Sequence, residues 1–360
     1  MRIRKVERFM AINDKNLFLE NGYLNMQEII EAPYTFIILV TGRGTGKTYG
    51  TLKYMVDSGH KFIYMRRTDT QVQGIANAEM NVFNWLNDAE GKAIYPYTVT
   101  KGVYGYYNSI LNEETGKYVK TGDCIGLLGA LSTLSNKRGF SGKDIEYMIL
   151  DEFCPEPHER ALKNESDAIF NCYETINRNR ELTGEKPLKL IMLANSNTLA
   201  SETIIKFGLV DIITRMKKHG KQIYKNDKRS MLVICPNYSP ISDRKMKTAL
   251  YRLIDGTDYK RMAIDNEFTD ISFSRIKSKN LLEYRPIVSV GEITIYRHKN
   301  KNELYVSNHK QGDCNTYATT QDELRKVKKL YSKLSQYYID GRIFYENESC
   351  QVLFTEYIIK

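Results

Sequence analysis

Residues 41–48, Thr-Gly-Arg-Gly-Thr-Gly-Lys-Thr, bring three glycines, a lysine and a hydroxyl into one short turn. Glycines let backbone N–H groups turn inward around phosphates. A lysine at Lys47 then reaches the β- and γ-phosphates, and a hydroxyl at Thr48 ligates the accompanying Mg²⁺. About a hundred residues on, Asp151 and Glu152 stand side by side. In that position an Asp holds Mg²⁺ through water, and a following Glu polarises an attacking water. Together these residues describe ATP hydrolysis with Mg²⁺. The phosphate loop comprises Thr41, Gly42, Arg43, Gly44, Thr45, Gly46, Lys47 and Thr48, with Tyr49 opening the next element. Thr41 stands where the usual loop pattern has its first glycine. Arg43 has two readings, a contact to phosphate or to a neighbouring subunit, or a surface position.

The loop needs a strand before it and a helix after it. YTFIILV (34–40) and YGTLKYMVDSG supply both. Four further runs read as strands: KFIYMRR (61–67), IEYMILD (145–151), LKLIMLAN (188–195) and SMLVICP (230–236). None alternates strictly, the pattern of strands buried on both faces of a parallel sheet, so the fold class is α/β. The acids Asp151 and Glu152 fall at the end of one such strand, and prolines at 155 and 157 end it. Asn195, at the end of the next strand, is placed to hydrogen-bond the γ-phosphate or the water. In TINRNRE, Arg178 and Arg180 lie two apart, so on a helix only one would reach a nucleotide. Such an arginine stabilises the transferring phosphoryl group, often across a subunit interface.

Between about 96 and 131 the chain reads as an antiparallel hairpin inserted beside the parallel core, with LNEETGK as its polar turn. The expected divisions are an ATPase domain over 1–236, a small helical linker over 237–272, and a basic α+β domain over 273–360. In the last, RPIVSVGEITIYRHKNKNELYVSN forms a hairpin, QDELRKVKKLYSKLSQYYIDG an amphipathic helix and QVLFTEYI a short strand.

The chain of 360 residues has a net charge of +10, and the excess is not evenly spread. Residues 1–200 hold 24 basic and 24 acidic side chains, whereas residues 201–360 hold 29 and 19. A basic C-terminal part joined to a neutral catalytic one suits a polyanionic partner. Candidate contacts are Lys137, Arg138 and Lys143, in a small-residue loop ahead of the Asp151 strand, and Arg325, Lys326, Lys328 and Lys329 on the basic helix. Both stretches also read as ordinary solvated surface. Six scattered cysteines without a C-x-x-C pair, and a start without the apolar core of a secretory signal, predict reduced thiols in a cytosol. Apolar runs such as FIILV are far too short to span a bilayer.

At this point the chain resembles a known family, the DNA-packaging ATPases of small tailed phages with protein-primed genomes, of the phi-twenty-nine type. The resemblance rests on RGTGKT, FIYMRR, Asp151-Glu152-Phe153, RNRE at 178–181 and LIDGTDYKRMAIDNEF at 253–268. The last string has no catalytic logic of its own, so its match marks kinship. The resemblance implies an additional-strand, conserved-glutamate ATPase fold and a ring of five subunits at the portal of a procapsid. It implies translocation of double-stranded DNA in the host cytoplasm, with a scaffold RNA left open as a further partner. It also implies Lys47 and Thr48 as the loop pair, Asp151 for Mg²⁺, Glu152 as base and Arg178 as a finger acting in trans, with Arg180 the weaker candidate. Related large terminases carry a nuclease of ribonuclease-H type. Here RPIVSV lacks an acid, and Glu292 and Glu303 follow in isolation, so a degenerate nuclease-like domain is expected. The alternatives are a terminase with an active nuclease, a P-loop kinase, and a nucleotide-sensing binding protein.

Overall fold

The computed structural model describes residues 12–135, 142–156, 159, 162, 164–268 and 273–360. The chain divides into two compact units, Met1–Ser196 with Met216–Glu267, and Asn197–Arg215 with Phe268–Lys360.

Among the described residues the first unit is built on nine strands: β1 (Phe36–Thr41), β2 (Phe62–Arg66), β3 (Ile94–Thr100), β4 (Val103–Asn112), β5 (Lys117–Ala130), β6 (Tyr147–Asp151), β7 (Lys189–Asn195), β8 (Ile223–Asn226) and β9 (Met231–Ile234). Their order is β3-β4-β5-β2-β6-β7-β1-β9-β8. From β5 to β9 every neighbouring pair is parallel, while β3-β4, β4-β5 and β8-β9 are antiparallel. Ile37 to Val40, Met148 to Leu150 and Leu190 to Ala194 are all buried, so these strands are covered on both faces and do not alternate. All five strands read from sequence are present.

One topological feature decides the site. Strand β7 lies between β1 and β6, with Thr41 in register with Asn195 and Asp151 with Leu193. The phosphate loop, Asn195 and the acid pair therefore leave the sheet at one edge, the carboxyl ends of parallel strands, where α/β sheets bind ligands.

The expected hairpin over 96–131 joins the main sheet, because β5 pairs in parallel with β2. Its first arm is two strands, β3 and β4, which turn at Lys101-Gly102. Gly102 has φ +75, a left-handed conformation that suits glycine.

The second unit holds β10 (Tyr284–Val290), β11 (Ile293–His298), β12 (Leu304–Ser307), β13 (Asn315–Tyr317) and β14 (Ile343–Tyr345), ordered β13-β10-β11-β12-β14. Val288, Ile295, Val306, Val327, Ile343 and Phe354 form its core. Three expectations change here. The single helix over 321–341 is two, Gln321–Leu330 and Lys333–Ile339. QVLFTEYI is helical: Asn347 caps Glu348–Phe354 by accepting from Cys350 N at 2.9 Å, and Cys350, Leu353 and Phe354 bury one face. The segment 197–215, expected in the ATPase domain, groups with the second unit because Ile205 packs against that unit's core.

The expected linker is divided differently as well. Residues 237–267 group with the first unit, as helices Ile241–Met246, Ala249–Leu253 and Asp258–Asp265.

Just after β2, Arg67 is almost wholly buried and pairs with two carboxylates. Its Nε and Nη2 donate to Glu165 at 2.6 and 3.1 Å, and its Nη1 to Glu159 at 3.1 Å. This fastens the helix Glu165–Asn177, which carries Arg178 at its end, to the strand beside β6. Arg67→Ala leaves Glu165 buried without its main cation and should cost about 3–5 kcal/mol. The double change Arg67→Met, Glu165→Leu should recover much of that loss in a urea titration. A loss below about 1 kcal/mol for the single change contradicts this role.

Candidate active site

The phosphate loop joins β1 to the helix Lys47–Ser58. Gly44 and Gly46 have φ +64 and +88, so both positions favour glycine. Gly46 caps the helix without a side-chain hydrogen bond, which leaves the first N–H groups directed at a ligand. Thr41 belongs to the strand. Its buried hydroxyl lies 2.8 Å from that of Thr45 and accepts from Lys47 Nζ at 2.9 Å, so a hydrogen-bonded threonine replaces the usual glycine.

Lys47 also donates to Gly42 O at 3.0 Å and to Asn195 Oδ1 at 3.1 Å. Burial pushes its ammonium down to about 8; Asp151 opposes the shift, and Lys245 and Arg43 add to it.

Asp151 is buried and accepts from several donors. Thr48 Oγ1 and Tyr64 OH each donate to Oδ2 at 2.7 Å, and the Glu152 N–H donates to Oδ1 at 3.0 Å. Arg66 Nη2 lies 3.4 Å from the same Oδ2, and its other nitrogen pairs with Glu152. Glu152 has φ +59, rare for a residue with a side chain, so the backbone leaves strand geometry just where the second acid must point elsewhere. Its carboxylate is half exposed, whereas Asp151 is enclosed. The two acids thus have different environments.

A hydroxyl beside a carboxylate suits Mg²⁺, which prefers few protein oxygens and takes the rest of its shell from water and phosphate. Among the described residues no group of three or more His, Cys, Asp or Glu could hold a metal ion. Lys47, Thr48, Asp151, Glu152 and Asn195 line one cavity of about 330 Å³. Beside it, a cleft of about 980 Å³ is bounded by Leu19, Asn21, Tyr23, Met26, Gly46 and Trp85. Gly44, Gly46 and Tyr49 border both.

Arg43 pairs with Glu156, and its guanidinium lies 5.6 Å from the centre of the Tyr259 ring. Arg178 is exposed at the end of its helix, in a left-handed conformation with φ +45, and its Nε donates to Thr175 O at 3.3 Å. Arg180 is committed to backbone ahead of β6, donating to Ile145 O, Gly142 O and Lys143 O at 2.7, 2.9 and 3.0 Å. The two arginines are thus separated by a left-handed turn, not by a helical step.

Of the basic candidates, Lys137 and Arg138 lie outside the described residues, and Lys143 is exposed. Arg325 and Lys326 pair with Asp322 and Glu323 of their own helix, while Lys328 is half-buried and Lys329 exposed. Sequence reasoning gave no role to Arg66, Tyr64, Tyr23 or Lys245. Only Arg66 left a trace, as a charge ending an otherwise buried strand.

A phosphate loop after β1, an extra strand β7 before the acid-bearing β6, and one cavity over their ends define a P-loop ATPase fold of the additional-strand type. Within it, the chain belongs to the podovirus DNA encapsidation protein (Gp16) family, whose model matches residues 14–359. The chain is 26% identical over 328 residues to the DNA packaging protein of Bacillus phage B103, covering 86% of this chain and 92% of that one. It is 25% identical over 354 residues to that of Bacillus phage phi29, covering 93% and 95%. Its fold is shared with the phi-29 viral genome packaging motor assembly, with 22% identity, TM-score 0.62, and coverage of 92% of this chain and 96% of that one. It is also shared with the phi-28 gp11 DNA packaging motor, with 16% identity, TM-score 0.61, and coverage of 94% and 98%.

The Lys47 ammonium is charged below its depressed value of about 8, and a polyphosphate binds the charged form. Raising the pH from 7.5 to 9.5 should therefore weaken nucleotide binding by about tenfold per unit above 8 for each lysine that must be recharged. Titration of a fluorescent ATP analogue measures this. A flat profile contradicts the assignment of Lys47 to the phosphates.

Proposed function

We propose that this chain hydrolyses ATP with Mg²⁺ and uses the energy to move double-stranded DNA into a procapsid, acting as a ring of subunits at the portal in the host cytoplasm. The observation that carries the reading is the convergence of Lys47, Thr48, Asp151, Glu152 and Asn195 on one cavity at the carboxyl ends of β1, β7 and β6. Thr48 and Asp151 would hold Mg²⁺, which would supply charge neutralisation for the phosphates. Lys47 takes the β- and γ-phosphates, exchanging its contacts to Thr41 and Asn195 for phosphate oxygens. Asn195 is then released to orient the γ-phosphate or the attacking water.

Glu152, turned out of the strand and more exposed than Asp151, accepts the proton of that water. Arg66 holds its carboxylate until the water is in place. The base and ribose occupy the larger cleft against Tyr23 and Tyr49. Arg178, exposed on its turn at the end of its helix, supports a finger reaching the site of a neighbouring subunit, the role that the family resemblance implies for it. Five subunits is the ring size that the family resemblance implies.

In the second unit, Glu292 is exposed, and Glu303 accepts from Tyr284 OH at 2.6 Å and lies 3.5 Å from Lys279 Nζ. Those partners leave Glu303 unsuited to act with the exposed Glu292 as a pair of open carboxylates for two metals. This supports a nuclease-like domain that has lost cutting and binds nucleic acid or the capsid vertex, with Lys328 and Lys329 among its candidate contacts, and Lys143 as a candidate on the loop before β6.

Glu152→Gln should bind ATP like the unchanged protein while turnover falls about 10²- to 10⁴-fold. Subunits carrying Arg178→Ala, mixed into a wild-type ring, should depress turnover more steeply than in proportion to their share. Normal turnover by the Gln variant overturns the base, and proportional inhibition overturns the finger in trans.

A further inference from the structure

The helices over 241–265 lie against the phosphate loop, and Lys245 makes the contact. Its ammonium donates to Arg43 O and, at 3.2 Å, to Ala263 O, and sits 4.9 Å from the centre of the Tyr251 ring. The same stretch closes on the loop at Gly42 and on the neighbouring strand ends. A Cβ on Gly42 would lie 2.7 Å from Ala263 O, so glycine there admits the 263 backbone. Ser196 Oγ donates to Met262 O at 3.2 Å, and Asn266 Nδ2 to Val40 O at 3.2 Å and Pro236 O at 2.5 Å.

A lysine ordinarily extends its stem and leaves its charge in water. Here burial, and next the charge of Arg43, push the Lys245 amine down to about 8, and it is still directed at two backbone carbonyls. The choice of Arg43 O has a geometric consequence. In a planar trans peptide the C=O and the following N–H point in opposite directions. A cation drawing the Arg43 carbonyl outward therefore turns the Gly44 N–H inward, toward the space that phosphates take in such a loop.

We propose that Lys245 is a positioning residue for the nucleotide phosphates, setting the Arg43–Gly44 peptide from outside the loop and tying that peptide to the helices over 249–265. This rests on the reading of the loop as an ATP site. It also gives a physical role to LIDGTDYKRMAIDNEF, whose Ala263 shares the ammonium.

The test compares binding of adenosine, MgADP and a slowly hydrolysed MgATP analogue by calorimetry to the unchanged protein and to Lys245→Met, Lys245→Gln and Lys245→Arg, each checked by thermal melting. Lys245→Met should weaken both phosphorylated ligands by about tenfold to a hundredfold and leave adenosine unchanged. Lys245→Arg should recover most of the loss, and Lys245→Gln, a donor without charge, part of it. KM for ATP should rise with the same order, with kcat at saturating ATP altered less than KM. Equal binding of all three ligands by a folded Met or Gln variant overturns the proposal. So does an equal loss for adenosine, which would mark a merely structural residue. If Lys245→Met does not fold, the ranking of Gln against Arg decides. Failure of the unchanged protein to bind MgATP would instead sink the ATP site itself.

Discussion

Everything in the catalytic unit depends on the spacing that β7 imposes between β1 and β6. The loop and the acids sit on strands that are not neighbours; β1 ends level with Asn195 of β7 and β6 ends two residues earlier, level with Leu193, and from those two ends Thr48 reaches Asp151 at 2.7 Å. Hydrogen-bond register fixes those levels along the whole length of the strands. A one-residue slip would send each side chain to the other face. The buried pairing of Arg67 with Glu165 and Glu159 then holds those two side chains against the end of β2, and the helices over 241–265 close on the loop through Lys245.

The site is poised electrostatically for an anion. Arg43, Lys47 and Lys245 surround the loop, and burial and mutual repulsion lower the amines of both lysines. Asp151 and Glu152 oppose this at Lys47, but they are themselves held by Arg66, Tyr64 and Thr48. A triphosphate with its metal would relieve the crowded cations. Lys47 folds back onto Thr41, Gly42 and Asn195, and phosphate oxygens can replace those contacts one for one.

The parts of this arrangement that are local are legible in the sequence. A strand, glycine-rich loop and helix are contiguous, and five doubly buried strands announce themselves as apolar runs. Asp151 and Glu152 can be placed at a strand end, although the left-handed turn at Glu152 that separates their directions cannot. Sequence does not reveal the groups that the fold brings from afar. Lys245 is some two hundred positions from the loop carbonyl it grips, and Tyr23 comes to Gly46 from before the first strand. Chain order alone misplaces the segments 197–215 and 237–267, because packing assigns them by which core takes their apolar residues. QVLFTEYI has strand-like composition, but the Asn347 cap and a core needing one helical face prevail over propensity.

The central claim is that one site joins ATP hydrolysis to the handling of DNA. Its most direct test is steady-state ATP turnover by the purified chain with procapsids, with and without double-stranded DNA, across a salt series with the DNA followed on a gel. The account predicts turnover that DNA stimulates, stimulation that fades as salt rises, and DNA that stays intact. Turnover indifferent to DNA at every salt concentration, or DNA cut in the presence of Mg²⁺ or Mn²⁺, would contradict it.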